Sequence, residues 1–455
     1  MNRALAALLL AGCWSMAPKY ERPAAPIPAS FGGGAGSARA SDLAWRDFVR
    51  EPRLRQIIAQ ALVQSRDLRK AVIAIESARA QYRIQRAQQL PSLDAAVSTT
   101  TTRTIIAPGF PPQTFTEYSA GVGLSTWEID LFGRLKSLSD ARLQAYLSTV
   151  EAARAAQISL IGEIASAYLT LAADKSRLAI ANDTVESSKH TMDLTEALVG
   201  GGTSNRGDYW QAATVFQQAR ADVALLTAAI AQDRDALELL AGGPVADSLL
   251  PDALPDPSAW FADVPVGLSS SVLLDRPDVA QAEHDLMAAN ANIGAARAAF
   301  FPSLTLTASG GLASLGLAAL FTGPASVFTI APSLAQPLFR GGELEGNLAY
   351  SESQKRLMVA SYELAIQSAF RDVADALATR ATIQEQLAAQ KDLVDASTKS
   401  FDLAEARYKA GVESFLTTLV AQRALYAAKN SLVAAQLAAL GNRVTLYRVL
   451  GGGLK

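Results

Sequence analysis

Arg297-Ala298-Ala299-Phe300-Phe301-Pro302-Ser303-Leu304-Thr305-Leu306-Thr307-Ala308-Ser309 closes one pattern and opens another. Up to Phe301 the apolar residues fit a helix. Beyond Pro302 they alternate, Leu304, Leu306 and Ala308 against Ser303, Thr305, Thr307 and Ser309. Proline stops the helix because it lacks an N–H and its ring clashes with the preceding turn. The same junction occurs earlier, as Arg86 followed by Leu90-Pro91-Ser92-Leu93. Moving outward, Leu131-Phe132 returns as Leu338-Phe339, and Asp193-Leu194-Thr195-Glu196-Ala197 as Asp402-Leu403-Ala404-Glu405-Ala406. Gly202 is answered by Gly411, and Arg234 and Leu237 by Arg443 and Leu446. A unit of more than two hundred residues is too long for a solenoid repeat. The chain is a duplicated half-protein.

Each copy carries two strand patterns, over 92–103 and 116–127 and again over 303–314 and 326–336. Leu93, Ala95, Val97 and Thr99 share one face of the first, and Tyr118, Ala120, Val122 and Leu124 one face of the second. The last is noisier, with Phe328, Ile330 and Leu334 on its apolar face. Segments of this length, apolar outward and small-polar inward, suit a membrane β-barrel. Aromatics flank them as two girdles: Trp127, Phe132, Phe300, Phe301 and Phe339 at one end, Phe110, Phe115 and Phe321 at the other. Four strands cannot close a barrel, since the smallest have about eight. Two copies would give that minimum, with an interior filled by side chains. Three would give twelve strands and room for a conduit.

The helices are as unusual. Arg134 to Val199 contains no proline and one glycine, Gly162; Glu343 to Ala410 contains no proline and one glycine, Gly346. At 1.5 Å per residue each could span roughly 100 Å. Leu143, Leu147, Val150, Ile158, Ile161, Ala165 and Tyr168 step by threes and fours or their multiples, and ten alanines lie between Ala141 and Ala173. Dense alanine lets many helices pack side by side. Shorter helices are expected over Pro52 to Leu90, Tyr209 to Ala241 and Ser270 to Phe301, with a C-terminal helix after Gly411. Laid end to end, the second and third would match the long helix beside them, with the junctions meeting halfway along a tube.

The chain has 455 residues and a formal net charge of −2, which points to no nucleic-acid partner. Residues 1–12 read as an export signal, Arg3 followed by the apolar run Ala4 to Ala11. Residues 13–42 form a Pro-, Ala- and Gly-rich extended tether, 43–243 the first repeat, 244–265 a linker and 266–455 the second repeat. No later run of eighteen apolar residues suggests a transmembrane helix. His190 and His284 lie far apart in the repeat and Cys13 is the only cysteine, so no metal, cofactor or catalytic constellation is expected.

Several blocks together resemble the TolC-type outer-membrane efflux proteins, in particular the OprM-like lipoproteins. They are Trp127-Glu128-Ile129-Asp130-Leu131-Phe132-Gly133-Arg134, then Arg276-Pro277-Asp278 through to Phe300-Phe301-Pro302-Ser303, then Leu450-Gly451-Gly452-Gly453, together with Arg79-Ala80-Gln81-Tyr82-Arg83. Leu10-Ala11-Gly12-Cys13 resembles the lipobox, which implies a lipid on Cys13. The resemblance implies a mainly α fold with a membrane β-barrel part, built as a homotrimer. A 12-stranded outer-membrane barrel would stand on a periplasmic α-helical barrel. The implied function is the exit duct of a tripartite pump, without catalysis. Its partners would be outer-membrane lipid, a periplasmic adaptor and an inner-membrane RND transporter.

By the same resemblance the duct is gated at its periplasmic tip, where Asp208, Arg407, Tyr408, Glu413, Leu416 and Val420 are the gate candidates. Gly202, Ser204, Gly411 and Val412 are the adaptor-contact candidates. Val420 stands where close relatives have aspartate, and Thr203 to Asp208 is unusually polar. These departures favour an apolar constriction over an acidic ring. Two other readings stay open: the outer-membrane channel of a type I protein secretion system, and a structural coiled-coil periplasmic lipoprotein without a pore.

Overall fold

The computed structural model describes residues 15–31, 43–202, 204–256, 259–264, 269–322 and 324–453. The export signal, Cys13 and the glycine run of the tether fall outside the described residues. In chain order the elements are α1 (Trp45–Phe48), α2 (Pro52–Gln64), α3 (Arg66–Ala87), β1 (Leu93–Thr104), β2 (Gln113–Ile129), α4 (Arg134–Gly200) and α5 (Arg206–Ala241). Then follow α6 (Pro277–Ala298), β3 (Ser303–Ser314), α7 (Ala319–Thr322), β4 (Ser326–Ala335), α8 (Glu343–Lys409) and α9 (Phe415–Val449). The two long helices have 67 residues each.

Two helices differ from the sequence reading. The pattern from Pro52 to Leu90 breaks at Ser65, whose extended backbone (ψ 129°) separates α2 from α3. A cause lies alongside: the left-handed Gly242 (φ +79°) ends α5 so close to this point that a Cβ there would lie 2.5 Å from the Gln64 carbonyl. Expected from Ser270, α6 instead begins at Pro277, after a 3-10 turn over Ser270–Asp275. Proline excludes the preceding Arg276 from helical backbone (ψ 137°) and itself suits the first helical position.

Contacts group the chain into two compact units, each assembled from both copies of the repeat. The first comprises Met1–Ala24, Ala74–Val150 and Gln281–Glu363. Its sheet is antiparallel in the order β1-β2-β3-β4. Leu93 lies opposite Leu124, Ala95 opposite Val122, and Thr99 opposite Tyr118. Ala120 faces Leu312, Leu304 faces Leu334, and Ala308 faces Ile330. One apolar face therefore continues across all four strands, as the alternation requires.

A bulge between Leu124 and Trp127 adds one residue to β2. The inserted residue shifts the alternation, so Trp127 and Ile129 pair with Leu306 and Leu304 on the apolar face. The opposite face is small: a Cβ on Gly311 would overlap the Ala120 carbonyl and Gly121. Where the strands meet the helices, the Phe132 and Phe301 rings stack at 4.8 Å, and Trp127 Nε1 donates to the Gln89 carbonyl. Glu128 pairs with Arg134, and the Asp130 carboxylate accepts from the Lys136 N–H at 2.7 Å in the first turn of α4.

The described start of the tether is strapped onto α6. Glu283, 7% exposed, accepts from Arg22 Nε (2.7 Å) and Nη2 (2.8 Å) and from the Tyr20 hydroxyl (3.0 Å). Asn290 Nδ2 donates to the Pro18 carbonyl at 2.8 Å. Gly294 lets the strap close in, since a Cβ would stand 2.6 Å from the Ala17 nitrogen. The Ser15 and Ser137 hydroxyls meet at 3.1 Å.

The second unit comprises Ala25–Ile73, Glu151–Ala280 and Leu364–Lys455. Phe48 stacks on Tyr447 (4.3 Å) and on Phe261 (5.1 Å), with Leu54, Ile57, Ile58 and Tyr168 fully buried. The terminal glycines take part in this packing. The Tyr447 hydroxyl donates to the Gly453 carbonyl at 2.7 Å, and a Cβ on Gly452 would strike the Tyr447 ring. The helix α4 contains one stretch apolar enough to cross a membrane by composition, but more than half of that stretch is buried within the chain. Its alanines serve helix packing.

The strap depends on one buried carboxylate. Glu283→Ala removes charge-assisted hydrogen bonds worth roughly 1–3 kcal/mol and leaves Arg22 to solvent. Tryptic cleavage after Lys19, next to the Tyr20 that the same carboxylate holds, should accelerate several-fold or more in the folded protein (roughly, from that loss). An unchanged cleavage rate would show that the strap is held elsewhere.

Candidate functional site

The candidate residues all belong to the second unit, in the two turns α4–α5 and α8–α9. Both turns reverse on a left-handed glycine, Gly202 (φ +73°) and Gly411 (φ +75°), with open space where a Cβ would stand. Gly202 donates to the Val199 carbonyl and Gly411 to the Tyr408 carbonyl, which satisfies carbonyls left over at the helix ends.

In the α4–α5 turn, Asn205 caps α5 by accepting from the Asp208 N–H at 3.0 Å. The Asp208 carboxylate accepts from the Ser204 hydroxyl at 2.9 Å. The polar run read from the sequence is thus an N-terminal cap, with a carboxylate placed favourably in the first turn. Beside it, Tyr209 meets Trp210 edge to face at 5.0 Å, and Trp210 remains 61% exposed. Sequence reasoning passed over Trp210, although a tryptophan in the first turn of a capped helix was visible there.

In the α8–α9 turn, Arg407 Nε pairs with Glu413 at 2.9 Å, and Glu413 also accepts from the Thr417 hydroxyl at 3.2 Å. Arg407 is therefore tied within its own turn. Tyr408 turns inward instead. Its ring lies 5.4 Å from that of Phe415, against a cluster of Ala212, Val215, Phe415 and Leu419 joined by Met192. The Tyr408 hydroxyl is buried without a hydrogen-bond partner among the described residues. Thr418 adds a buried bond across the turn, donating to the Ala404 carbonyl at 3.2 Å.

Leu416 and Val420, one turn apart on α9, point away from this cluster and are 56% and 59% exposed. Val412 in the turn and Leu403 on α8 are exposed as well. The structure thus joins Arg407 to Glu413 and Tyr408 to Phe415, keeps Asp208 with Ser204, and leaves Leu416 and Val420 as a bare apolar stripe.

Beyond the turns, polar contacts join α5 to its neighbours. Arg423 Nη2 donates to the Thr214 hydroxyl at 2.9 Å, and the Tyr426 hydroxyl donates to Asp222 at 2.7 Å. Burial, with that bond and the carboxylate's charge, pushes the Tyr426 phenol up to about 12. Burial and then the nearby Asp174 carboxylate raise Asp233 above the usual carboxylate range. In the first unit, His284 shares a 2.7 Å hydrogen bond with Gln144 on α4.

An amphipathic antiparallel sheet carried on very long alanine-rich helices defines the class of outer-membrane channel proteins. The chain belongs to the outer membrane efflux protein family, whose description matches residues 57–243 and again 268–452. It is 44% identical over 458 residues to the solvent efflux pump outer membrane protein SrpC of Pseudomonas putida, covering 98% of this chain and 97% of that one. With outer membrane protein OprJ of Pseudomonas aeruginosa it shares 39% identity, over 99% and 95% of the two chains. Among solved structures, the open state of the Neisseria gonorrhoeae MtrE outer membrane channel superposes with a TM-score of 0.88. That pair is 37% identical, over 97% and 99% of the chains. The protein is an efflux channel of the outer membrane.

Tyr408 gives a direct check of the turn. With its hydroxyl unsatisfied, Tyr408→Phe should leave thermal stability unchanged or raise it, by up to about 1 kcal/mol. A loss larger than about 1 kcal/mol would mean that the hydroxyl has a partner beyond the described residues.

Proposed function

We propose that three copies of the chain close one twelve-stranded barrel in the outer membrane above one periplasmic helical barrel. The assembly is the passive exit duct of a multidrug or solute efflux pump. The observation that carries this reading is the sheet: four strands, one continuous apolar face, and free edges on β1 and β4. A lone sheet of this kind leaves backbone groups unpaired in lipid, at a cost of several kcal/mol each.

The gate lies at the α4–α5 and α8–α9 turns. Leu416 and Val420 form the constriction, and the Arg407–Glu413 pair and the Ser204–Asp208 cap hold the turns in shape. A periplasmic adaptor opens it by contacting Gly202, Ser204, Gly411 and Val412, on behalf of an inner-membrane RND transporter. Such a duct needs no catalytic step. A lipid on Cys13 adds a second attachment to the outer membrane.

In planar bilayers, Leu416→Ala should raise the basal conductance of the purified channel, and Asp208→Ala should do so by loosening the cap. Unchanged closed-state conductance in both would remove these turns from the gate. Cys13→Ser should lose the mass of the lipid yet still insert in the outer membrane, and an unmodified cysteine in the mature wild-type protein would contradict the anchor.

A further inference from the structure

The apolar face of the four strands carries one charged residue, Arg103 at the far end of β1. On β1 this face holds Leu93, Ala95 and Val97, then Thr99, Thr101 and Arg103. On β2 it holds Leu124, Val122, Ala120 and Tyr118, then Thr116 and Thr114. The matching positions of β3 run from Leu304 to Ser314, and those of β4 from Leu334 to Ser326, without a charged side chain.

The carboxylates of the sheet do not neutralise this cation. Asp94, Glu117 and Glu128 alternate onto the opposite face, and Glu128 is already paired with Arg134. Two hydroxyl pairs mark the division: Ser98 meets Ser119 at 2.8 Å on the face of Glu117, and Thr101 meets Thr116 at 2.9 Å on the face of Arg103. The hairpin segments 105–112 and 315–325 contain no charged residue. Arg103 is exposed and has no ion-pair or hydrogen-bond partner among the described residues. A second copy of the sheet laid beside β1 brings no acid to this face either, since its strands are the same.

The height of Arg103 follows from strand geometry. At the helix end of β1, Leu93 pairs with Leu124, next to the bulge that leads to Trp127 and the aromatic girdle. From Leu93 to Arg103 the strand rises about 3.4 Å per residue, so at a tilt of about 40° it climbs roughly 25 Å. That is the height of the apolar band of a membrane barrel. Arg103 therefore stands at the boundary of the outer leaflet, where an arginine costs little, and not at the midplane, where it costs much. Below it, Leu93, Val97 and Val122 are exposed and offer a surface to acyl chains. Beside it, Thr114 lies directly opposite on β2, and the Thr101 and Thr116 hydroxyls belong to the same patch.

Resting on the barrel reading above, we propose that Arg103 holds a phosphate of the glycolipid that forms the outer leaflet of the outer membrane, one site on each copy. A guanidinium grips phosphate through two parallel N–H···O bonds, a geometry that an ammonium does not reproduce. The threonine hydroxyls supply further donors at the same level, and the acyl chains lie along Val97 and Val122. The phosphate provides the counter-charge that the protein omits here. The ligand is a lipid and not a free anion, because the cation stands at the rim of an apolar face that acyl chains cover.

Native mass spectrometry of the detergent-purified assembly, titrated with lipid A, reads the site. The wild-type assembly should take up one lipid A per chain, and Arg103→Gln should bind it at least tenfold more weakly. Arg103→Lys keeps the charge without the fork and should fall between the two. Glu117→Gln, on the opposite face, should bind as the wild type does. Lipid A stripped of its phosphates should bind wild type and Arg103→Gln alike. Equal affinity for lipid A in wild-type and Arg103→Gln assemblies overturns the site while leaving the barrel intact. Dephosphorylated lipid A that binds the wild type as tightly as lipid A also overturns it, and this comparison decides alone if Arg103→Gln fails to assemble. A tenfold change in Glu117→Gln overturns the assignment of faces. Wild-type monomers by mass reject the barrel reading on which the site rests.

Discussion

The structure depends on a requirement of backbone hydrogen bonds in lipid: a strand that crosses a bilayer must have partners on both sides. One chain supplies three of the pairings needed around a ring and leaves β1 and β4 with one bare side each. Hydrocarbon cannot replace the missing partners, and only closure removes an edge. The duplicated sequence and the continuous apolar face both follow from a sheet built to be completed by its own copies.

Much of this was legible in the residues. Pro91 and Pro302 mark helix-to-strand junctions, because proline ends one element and strict alternation identifies the next. The strand over 303–314 and the long helices from Arg134 and Glu343 appear where the patterns place them. The breaks at Ser65 and Pro277 were less legible for different reasons. Ser65 yields to a tertiary approach by Gly242, which no local pattern encodes. Pro277 carried a local signal, since proline constrains the residue before it, but the apolar period on either side masked the interruption. The bulge near Trp127 was hidden too, because one inserted residue is invisible until the register of the neighbouring strand is known.

The turns were legible as positions and not as interactions. Gly202 and Gly411 announce a reversal by their conformational freedom, and Leu416 and Val420 announce an apolar face by spacing. What Asp208, Arg407 and Tyr408 do is a matter of partners. Asp208 joins the cap of its own helix, Arg407 pairs inside its own turn, and Tyr408 joins a buried cluster with an idle hydroxyl. Small polar turns on an apolar stripe suit a constriction held by packing, which a bound partner could pull open without breaking buried ion pairs. The strap on α6 was foreseen only as a tether. Its hold on Glu283 required knowing which helix lies beneath it.

Native mass spectrometry of the detergent-purified protein tests the central claim most directly, because it counts the copies that complete the sheet. The account predicts a single assembly of three chains that persists on dilution. A monodisperse monomer, or a soluble species needing no detergent, would contradict it.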